Sequence, residues 1–98
     1  MARGTTPTLG FSIPCAPEEI TTAFVTLAQF GKVKVEKSMP DFLFDNGKLY
    51  VTLTQKDTLS LTFGFNTEIQ LAIRCGQMVY RSDIITVETE RILKDGEI

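Results

Sequence analysis

The sequence predicts an all-β fold, namely one antiparallel, immunoglobulin-like β-sandwich of about seven strands with one short helical turn. Apolar and polar residues alternate with a period of two nearly from end to end, most clearly over residues 49–53. Such alternation gives each strand one buried and one solvated face. Glycine, proline and Asn-Gly turn signals separate the alternating segments at short intervals. A length of 98 residues supports one core, so we predict a single domain over residues 1–98.

The first predicted strand covers residues 8–13 and is bounded by two prolines. Pro7 precedes it and Pro14 ends it. Because proline cannot donate to a strand ladder, it belongs at strand ends and edges. Pro17 and the two glutamates after it favour a single helical turn, since acidic residues suit a helix N-terminus.

The second predicted strand, residues 22–30, carries apolar side chains on both faces. Phe24, Ala28 and Phe30 share the second face. A strand of this kind is central or covered by a partner, so coverage by the chain's own helical turn and a subunit interface are both open interpretations. Gly31 permits a turn into residues 32–37, where valines alternate with lysines in the manner of a solvated edge strand.

The second half of the chain begins with a predicted hairpin. Residues 42–44 and 48–53 flank Asp45-Asn46-Gly47, and Asn-Gly tolerates the positive φ angles of a type I′ turn. Thr54, followed three residues later by Asp57, resembles a capping box and predicts a short helical turn. A bend at Ser82-Asp83 is predicted between the last two strands. The remaining predicted strands cover residues 67–75, 78–80 and 84–89.

The two cysteines lie far apart in the sequence and match no zinc or redox spacing. A disulfide between Cys15 and Cys75 is geometrically possible in a sandwich. Nothing in the sequence indicates secretion, however, and disulfides are rare in reducing compartments. We therefore predict two free, largely buried thiols.

The composition argues against most chemical functions. The chain contains no histidine, so it has no conventional Ser-His-Asp or Cys-His pair, and we predict no catalytic residue, metal ligand or cofactor. Asp41, Asp45 and Asn46 suit turns better than a calcium loop. The net charge is −2, without the basic stripe that nucleic-acid binding needs. No apolar run approaches the roughly 20 residues of a membrane span. We also expect no small-molecule ligand.

Two apolar features are candidates for contacts between proteins. The first is the second face of the strand over residues 22–30. The second is the C-terminal segment, which is either a frayed tail or a tail that docks into a neighbouring subunit. The residues selected as interface candidates are Phe24, Phe30, Ile92, Leu93 and Ile98.

A family resemblance follows from the order of three motifs. Arg3-Gly4-Thr5-Thr6-Pro7 leads into the first strand, Leu53-Thr54-Gln55-Lys56-Asp57-Thr58 forms the capped turn, and Ser82-Asp83-Ile84 opens the closing strand. The chain thereby resembles small proteins encoded among the tail genes of phages and prophages of Gram-positive bacteria. It also resembles the immunoglobulin-like N-terminal domain of phage baseplate upper proteins. The resemblance covers nearly the whole chain.

The resemblance implies a non-enzymatic virion structural protein of the tail or baseplate, made in the bacterial cytoplasm. Its partners would be further copies of itself or other virion proteins, and the family implies no active-site residues. The N-terminus lacks the apolar region of a signal peptide, as this location requires. One alternative is a capsid decoration protein. Another is a host-surface or carbohydrate-binding module, which would place exposed aromatics beside carboxylates; Tyr50 and Tyr80 are the only tyrosines.

Overall fold

The computed structural model describes residues 1–98 and confirms an all-β antiparallel sandwich, with eight strands in two sheets. The smaller sheet has the order β1-β5-β4. The larger has the order β3-β2-β6-β7, and β8 pairs with β6 as well. The strands are β1 (Thr8–Ser12), β2 (Ile20–Gln29), β3 (Lys32–Ser38), β4 (Phe42–Asp45), β5 (Lys48–Thr52), β6 (Asn66–Cys75), β7 (Met78–Arg81) and β8 (Ile85–Glu88).

The helical segments are short and lie at the connections. The predicted capping box starts α1 (Gln55–Leu59): Asp57 N–H donates to Thr54 Oγ1 at 3.1 Å, and Thr54 N–H donates to Asp57 Oδ2 at 2.8 Å. The predicted turn after Pro17 is a 3₁₀ helix over Pro17–Glu19. A second 3₁₀ helix covers Met39–Asp41, between β3 and β4. None of the helices has the length and apolar character that a membrane crossing requires.

The core lies between the sheets, where the period-two alternation directs the aliphatic side chains. Leu27 and Leu71 come from the larger sheet, Leu49 comes from the smaller one, and all three are fully buried. Burying each such side chain contributes roughly 2–3 kcal/mol, so these alternating positions supply the main stabilisation. The predicted strand faces are therefore confirmed for the central strands.

The bend predicted at Ser82-Asp83 separates two strands that share one edge of β6. The N-terminal half of β6 pairs with β8 and its C-terminal half pairs with β7. Ser82 fills the gap between them, because its N–H donates to Leu71 O and its Oγ accepts from Leu71 N–H, both at 2.9 Å. The ladder along β6 thus continues through a side chain where the edge strands are interrupted.

The prediction of two free thiols is wrong, since Cys15 and Cys75 form a disulfide with their Cα atoms 6.7 Å apart. Cys75 ends β6 and pairs in register with Ile20 at the start of β2. The connection from β1 to β2 therefore passes the end of β6 and brings Cys15 beside it. Sequence spacing carries no information about this contact, because it depends on the register between two distant strands.

An ion pair joins the edge of the larger sheet to α1. Lys37 Nζ lies 2.7 Å from Asp57 Oδ2, and both side chains are largely buried. Burial raises the pKa of Asp57, but the hydrogen bonds from Lys37 and Thr54 outweigh it, so the pKa lies below its ordinary value of 3.8. The lowered pKa means that folding favours the ionised carboxylate.

Asp57→Asn is expected to lower the free energy of unfolding by about 1 kcal/mol at pH 7, the scale of a partly exposed ion pair. Because the pKa of Asp57 is lower in the folded state, this contribution is complete above about pH 3.8 and is lost as the pH falls through the folded value. Urea unfolding at pH 7, 5 and 3 measures the difference. Lys37→Gln should behave alike at pH 7, and Lys34→Gln, on the exposed side of the same strand, should not. A difference undiminished at pH 3 would disprove the assignment.

Candidate functional site

Three phenylalanines project from one end of the sandwich, and we call them the aromatic end. Phe30 follows β2, while Phe63 and Phe65 precede β6, and they are 59%, 49% and 50% exposed. The rings of Phe30 and Phe65 meet edge to face, with centroids 4.6 Å apart. Large apolar side chains that stay half exposed in one cluster are candidates for contact with another molecule.

A buried glutamine holds the loop that carries two of these rings. Gln29 is 1% exposed and is the last residue of β2. Its Nε2 donates to Thr62 O at 2.9 Å, and its Oε1 accepts from Thr62 N–H at 2.8 Å. This pair of hydrogen bonds fixes the backbone immediately before Phe63.

The same amide reaches two buried threonines. Gln29 Nε2 lies 3.2 Å from Thr67 Oγ1 and 3.3 Å from Thr89 Oγ1, and the two hydroxyls are 2.6 Å apart. The network therefore joins the ends of β2 and β8 to the start of β6. Because these loops are already ordered, the aromatic end would lose little conformational entropy on binding a partner.

Phe30 occupies a backbone conformation that phenylalanine disfavours. Its φ is 57° and that of Gly31 is 72°, both in the left-handed region that a type I′ turn requires. The β4–β5 hairpin has the same conformation at Asn46-Gly47, with φ of 49° and 72°. Asparagine tolerates this region, whereas a bulky residue costs about 1 kcal/mol there. The chain therefore carries an exposed aromatic at a position where asparagine would fold more easily.

A groove of about 600 Å³ runs beside Phe63 and Phe65. Its other side is formed by Glu88, the last residue of β8, and by Glu90 and Arg91, which follow that strand. The N-terminal amino group lies 3.7 Å from Glu90 Oε1 and partly neutralises this acidic rim. Aromatic faces beside carboxylates and a guanidinium group can bind a mixed apolar and polar surface.

The structure separates the two phenylalanines that were predicted to share a face of the second strand. Phe24 lies on the outward side of the larger sheet and is 38% exposed, and α1 does not cover it. Phe30 lies beyond the end of β2, six residues further along and so roughly 20 Å away. They belong to two surfaces rather than to one.

The C-terminal residues lie along α1 of their own domain. A Cβ placed on Gly4 would approach Ile92 Cδ1 to 3.2 Å, so Ile92 packs closely there. At the other end of α1, Gln55 Oε1 accepts from Ile98 N–H at 2.9 Å. The side chains of Leu93 and Ile98 point into solvent and are almost fully exposed. The tail is thus held by its own chain while two of its predicted interface side chains remain free.

The two tyrosines do not form a joint platform. Tyr50 lies on the outward side of the smaller sheet and pairs in register with Gly10, whose missing side chain leaves room for the ring. Tyr80 pairs with the inward-facing Ile73 and packs against the core. The carbohydrate-binding alternative would therefore have to use other aromatics.

Phe63, Phe65 and Gln29 are the residues that the sequence analysis missed. A glycine flanked by two phenylalanines was a usable signal, because large aromatics beside a turn glycine rarely find room inside a core. Gln29 continues the inward positions of Ala23, Val25 and Leu27, so the alternation itself predicted a buried amide.

Comparison with known proteins returned no relative. The chain matches no protein-family model, no curated protein and no solved structure. The resemblance to phage tail and baseplate proteins therefore stays a prediction from the sequence motifs.

Proposed function

We propose that the chain is a non-enzymatic structural protein of a phage or prophage virion, in the tail or baseplate. It attaches through its aromatic end to an apolar recess on another virion protein. The placement in a virion rests on the resemblance of the sequence motifs. The attachment surface rests on the geometry of the aromatic end.

Phe30 is the observation that carries the attachment. Its ring is exposed, its backbone is in a conformation that favours asparagine or glycine, and the other type I′ turn of the chain uses Asn46 at the same place. A residue that costs folding energy and leaves its side chain in water fits a binding role. Its contact with Phe65 extends the apolar surface across two loops.

The expected affinity of a single attachment is low, which suits an assembly that repeats the contact many times. Burying the exposed parts of the three rings removes roughly 300 Å² of apolar surface from water, or a gross gain of about 7 kcal/mol. Association costs at least about 4 kcal/mol in lost freedom of motion. A single contact is therefore weak, and repetition around a symmetric particle would make the attachment durable.

Phe30→Asn is expected to reduce incorporation into particles at least tenfold, because it removes a central aromatic anchor. Its free energy of unfolding should stay within about 1 kcal/mol of the wild type, since the better turn residue offsets the lost ring pair. The gene is deleted from the prophage, and each variant is supplied in its place. Quantitative mass spectrometry of the resulting particles then measures how much of the variant is incorporated. Phe65→Ser should behave alike.

Leu43→Ser is the matched control, because Leu43 is also exposed but lies on the smaller sheet. It should be incorporated like the wild type. If the wild-type chain is supplied and is absent from the purified particles, the virion assignment is contradicted. Particles that incorporate Phe30→Asn as well as wild type would leave the virion assignment standing and contradict attachment through the aromatic end.

A carbohydrate-binding role is the second candidate, because the groove beside Phe63 and Phe65 places aromatic rings next to Glu88 and Glu90. It predicts that the isolated chain binds purified host cell-wall polysaccharide and that Phe65→Ser abolishes this binding. The assembly role predicts no such binding. A calorimetric titration of the isolated chain therefore separates the two functions.

A further inference from the structure

The outward side of the larger sheet, which we call the outer face, is uncovered, and its central depression is lined by Phe24, Ala72 and Val79 together with Arg74 and Arg81. Phe24 pairs in register with Ala72, and a shallow depression of about 210 Å³ lies beside them. Val79 borders the same depression and is half exposed. The outward residues of the two central strands are Thr22, Phe24, Thr26 and Ala28 on β2 and Glu68, Gln70, Ala72 and Arg74 on β6.

The charges on β6 are placed symmetrically about this centre. Glu68 and Arg74 both point outward at opposite ends of the strand, and the residues between them on this side are uncharged. Six residues of strand separate them by roughly 20 Å, too far for contact within one chain. The three ion pairs of the chain involve other residues, so neither charge has a partner.

We propose that the outer face packs against the outer face of a second copy of the chain. The two-fold axis lies in the interface, runs across the strands, and passes between Gln70 and Ala72. Each β6 then lies antiparallel over the other, and Glu68 of each copy meets Arg74 of its mate. The two-fold rotation therefore forms two Glu68–Arg74 pairs, because every contact in an isologous interface occurs twice.

The same two residues of β6, Glu68 and Arg74, disfavour the other simple arrangement. A two-fold axis parallel to the strands would place β2 over β6, because those two strands lie side by side at the centre of the sheet. Within one chain, Glu68 pairs with Ala28 and Arg74 pairs with Thr22. In this arrangement Glu68 of one copy would therefore face Ala28 of the other copy, and Arg74 would face Thr22 of the other copy. That packing leaves four charges without partners, so the antiparallel arrangement is favoured.

The small area of the outer face leads us to expect weak dimerisation. Four strands by about seven residues cover roughly 19 by 23 Å, which is small beside an obligate dimer interface. For so small a face we expect weak pairing, with a dissociation constant of about micromolar order at best. The surface differs from the aromatic end, so the pairing does not rest on the proposed attachment.

Charge reversal tests the pairing, with analytical ultracentrifugation of the full chain at about 1–200 µM giving the dissociation constant. Wild type should dimerise, whereas Glu68→Arg alone and Arg74→Glu alone should each raise the dissociation constant at least tenfold, because each sets like charges opposite one another. An equimolar mixture of the two single variants should form a one-to-one heterodimer, in which every contact is complementary. Both sites are exposed, so unchanged circular dichroism and melting temperature verify folding.

Wild type that stays monomeric at 200 µM would overturn the proposal. So would single variants that dimerise like the wild type, or a mixture that fails to form the heterodimer. Phe30→Asn should dimerise normally, which separates a failure of this interface from a failure of attachment through the aromatic end.

Discussion

Removing the Cys15–Cys75 disulfide, by reduction or by the double change Cys15→Ala and Cys75→Ala, is expected to lower the free energy of unfolding by about 4 kcal/mol. The bond closes a loop with a sequence separation of 60 residues. Restricting an unfolded chain over a loop of that length is worth about 4 kcal/mol in the chain-entropy description. This is a large share of the 5–15 kcal/mol that stabilises a typical domain.

Urea unfolding with and without a thiol reductant measures this effect. The double alanine variant is the control, because it should have the stability of the reduced wild type and should not respond to the reductant. A reductant effect below about 1 kcal/mol on the wild type would contradict a stabilising bond. The disulfide joins the β1–β2 connection to the end of β6, which lies opposite to the aromatic end and roughly 30 Å away along the ten-residue strands, so reduced protein that stays folded should attach normally.

Gln29→Ala is expected to destabilise the chain by about 3 kcal/mol. The change removes the partner of Thr62 N–H and Thr62 O and leaves a void beside the buried hydroxyls of Thr67 and Thr89. Losing a hydrogen bond to a part-buried backbone group costs about 0.5–1.5 kcal/mol, and the cavity left by the fully buried side chain supplies the rest. The loop that carries Phe63 and Phe65 should also become mobile, so attachment should fall even where the variant remains folded.

Chemical unfolding gives the stability, and hydrogen exchange at the Thr62 amide reports the loop. Gln77→Ala is the control, since Gln77 is exposed in the β6–β7 turn and makes no side-chain hydrogen bond. It should change stability by less than about 0.5 kcal/mol. A Gln29→Ala variant as stable as the wild type, with a Thr62 amide that exchanges equally slowly, would show that the network does not hold the aromatic end.

The elements that the sequence predicted correctly are those whose signals are local. The Asn46-Gly47 hairpin and the Thr54–Asp57 capping box each follow from residues only a few positions apart. The faces of β2 and β6 follow from alternation within a single strand. These features could be predicted because residues that are close in the sequence determine the backbone geometry of the turn, the helix start and the strand faces.

The features that were missed depend on contacts between distant segments. The disulfide requires the register of β2 on β6, and the aromatic end requires Phe30 to meet Phe65 across the loop that Gln29 holds. The loop over residues 60–65 has no periodicity that would have marked its phenylalanines. Phe24 and Phe30 were correctly found to be apolar and outside the main core, but the alternation could not show that the strand ends at Gln29 and places them on separate surfaces.

The most direct test of the account is the copy number of the chain in separated tails and heads of purified particles. The particles come from induction of the prophage that, on this proposal, carries the gene, and quantitative mass spectrometry compares the chain with the major tail and capsid proteins. We predict a fixed, stoichiometric amount in tails and none in heads. Absence from the particles would contradict a virion role, and presence in heads alone would contradict the tail assignment in favour of a capsid decoration protein.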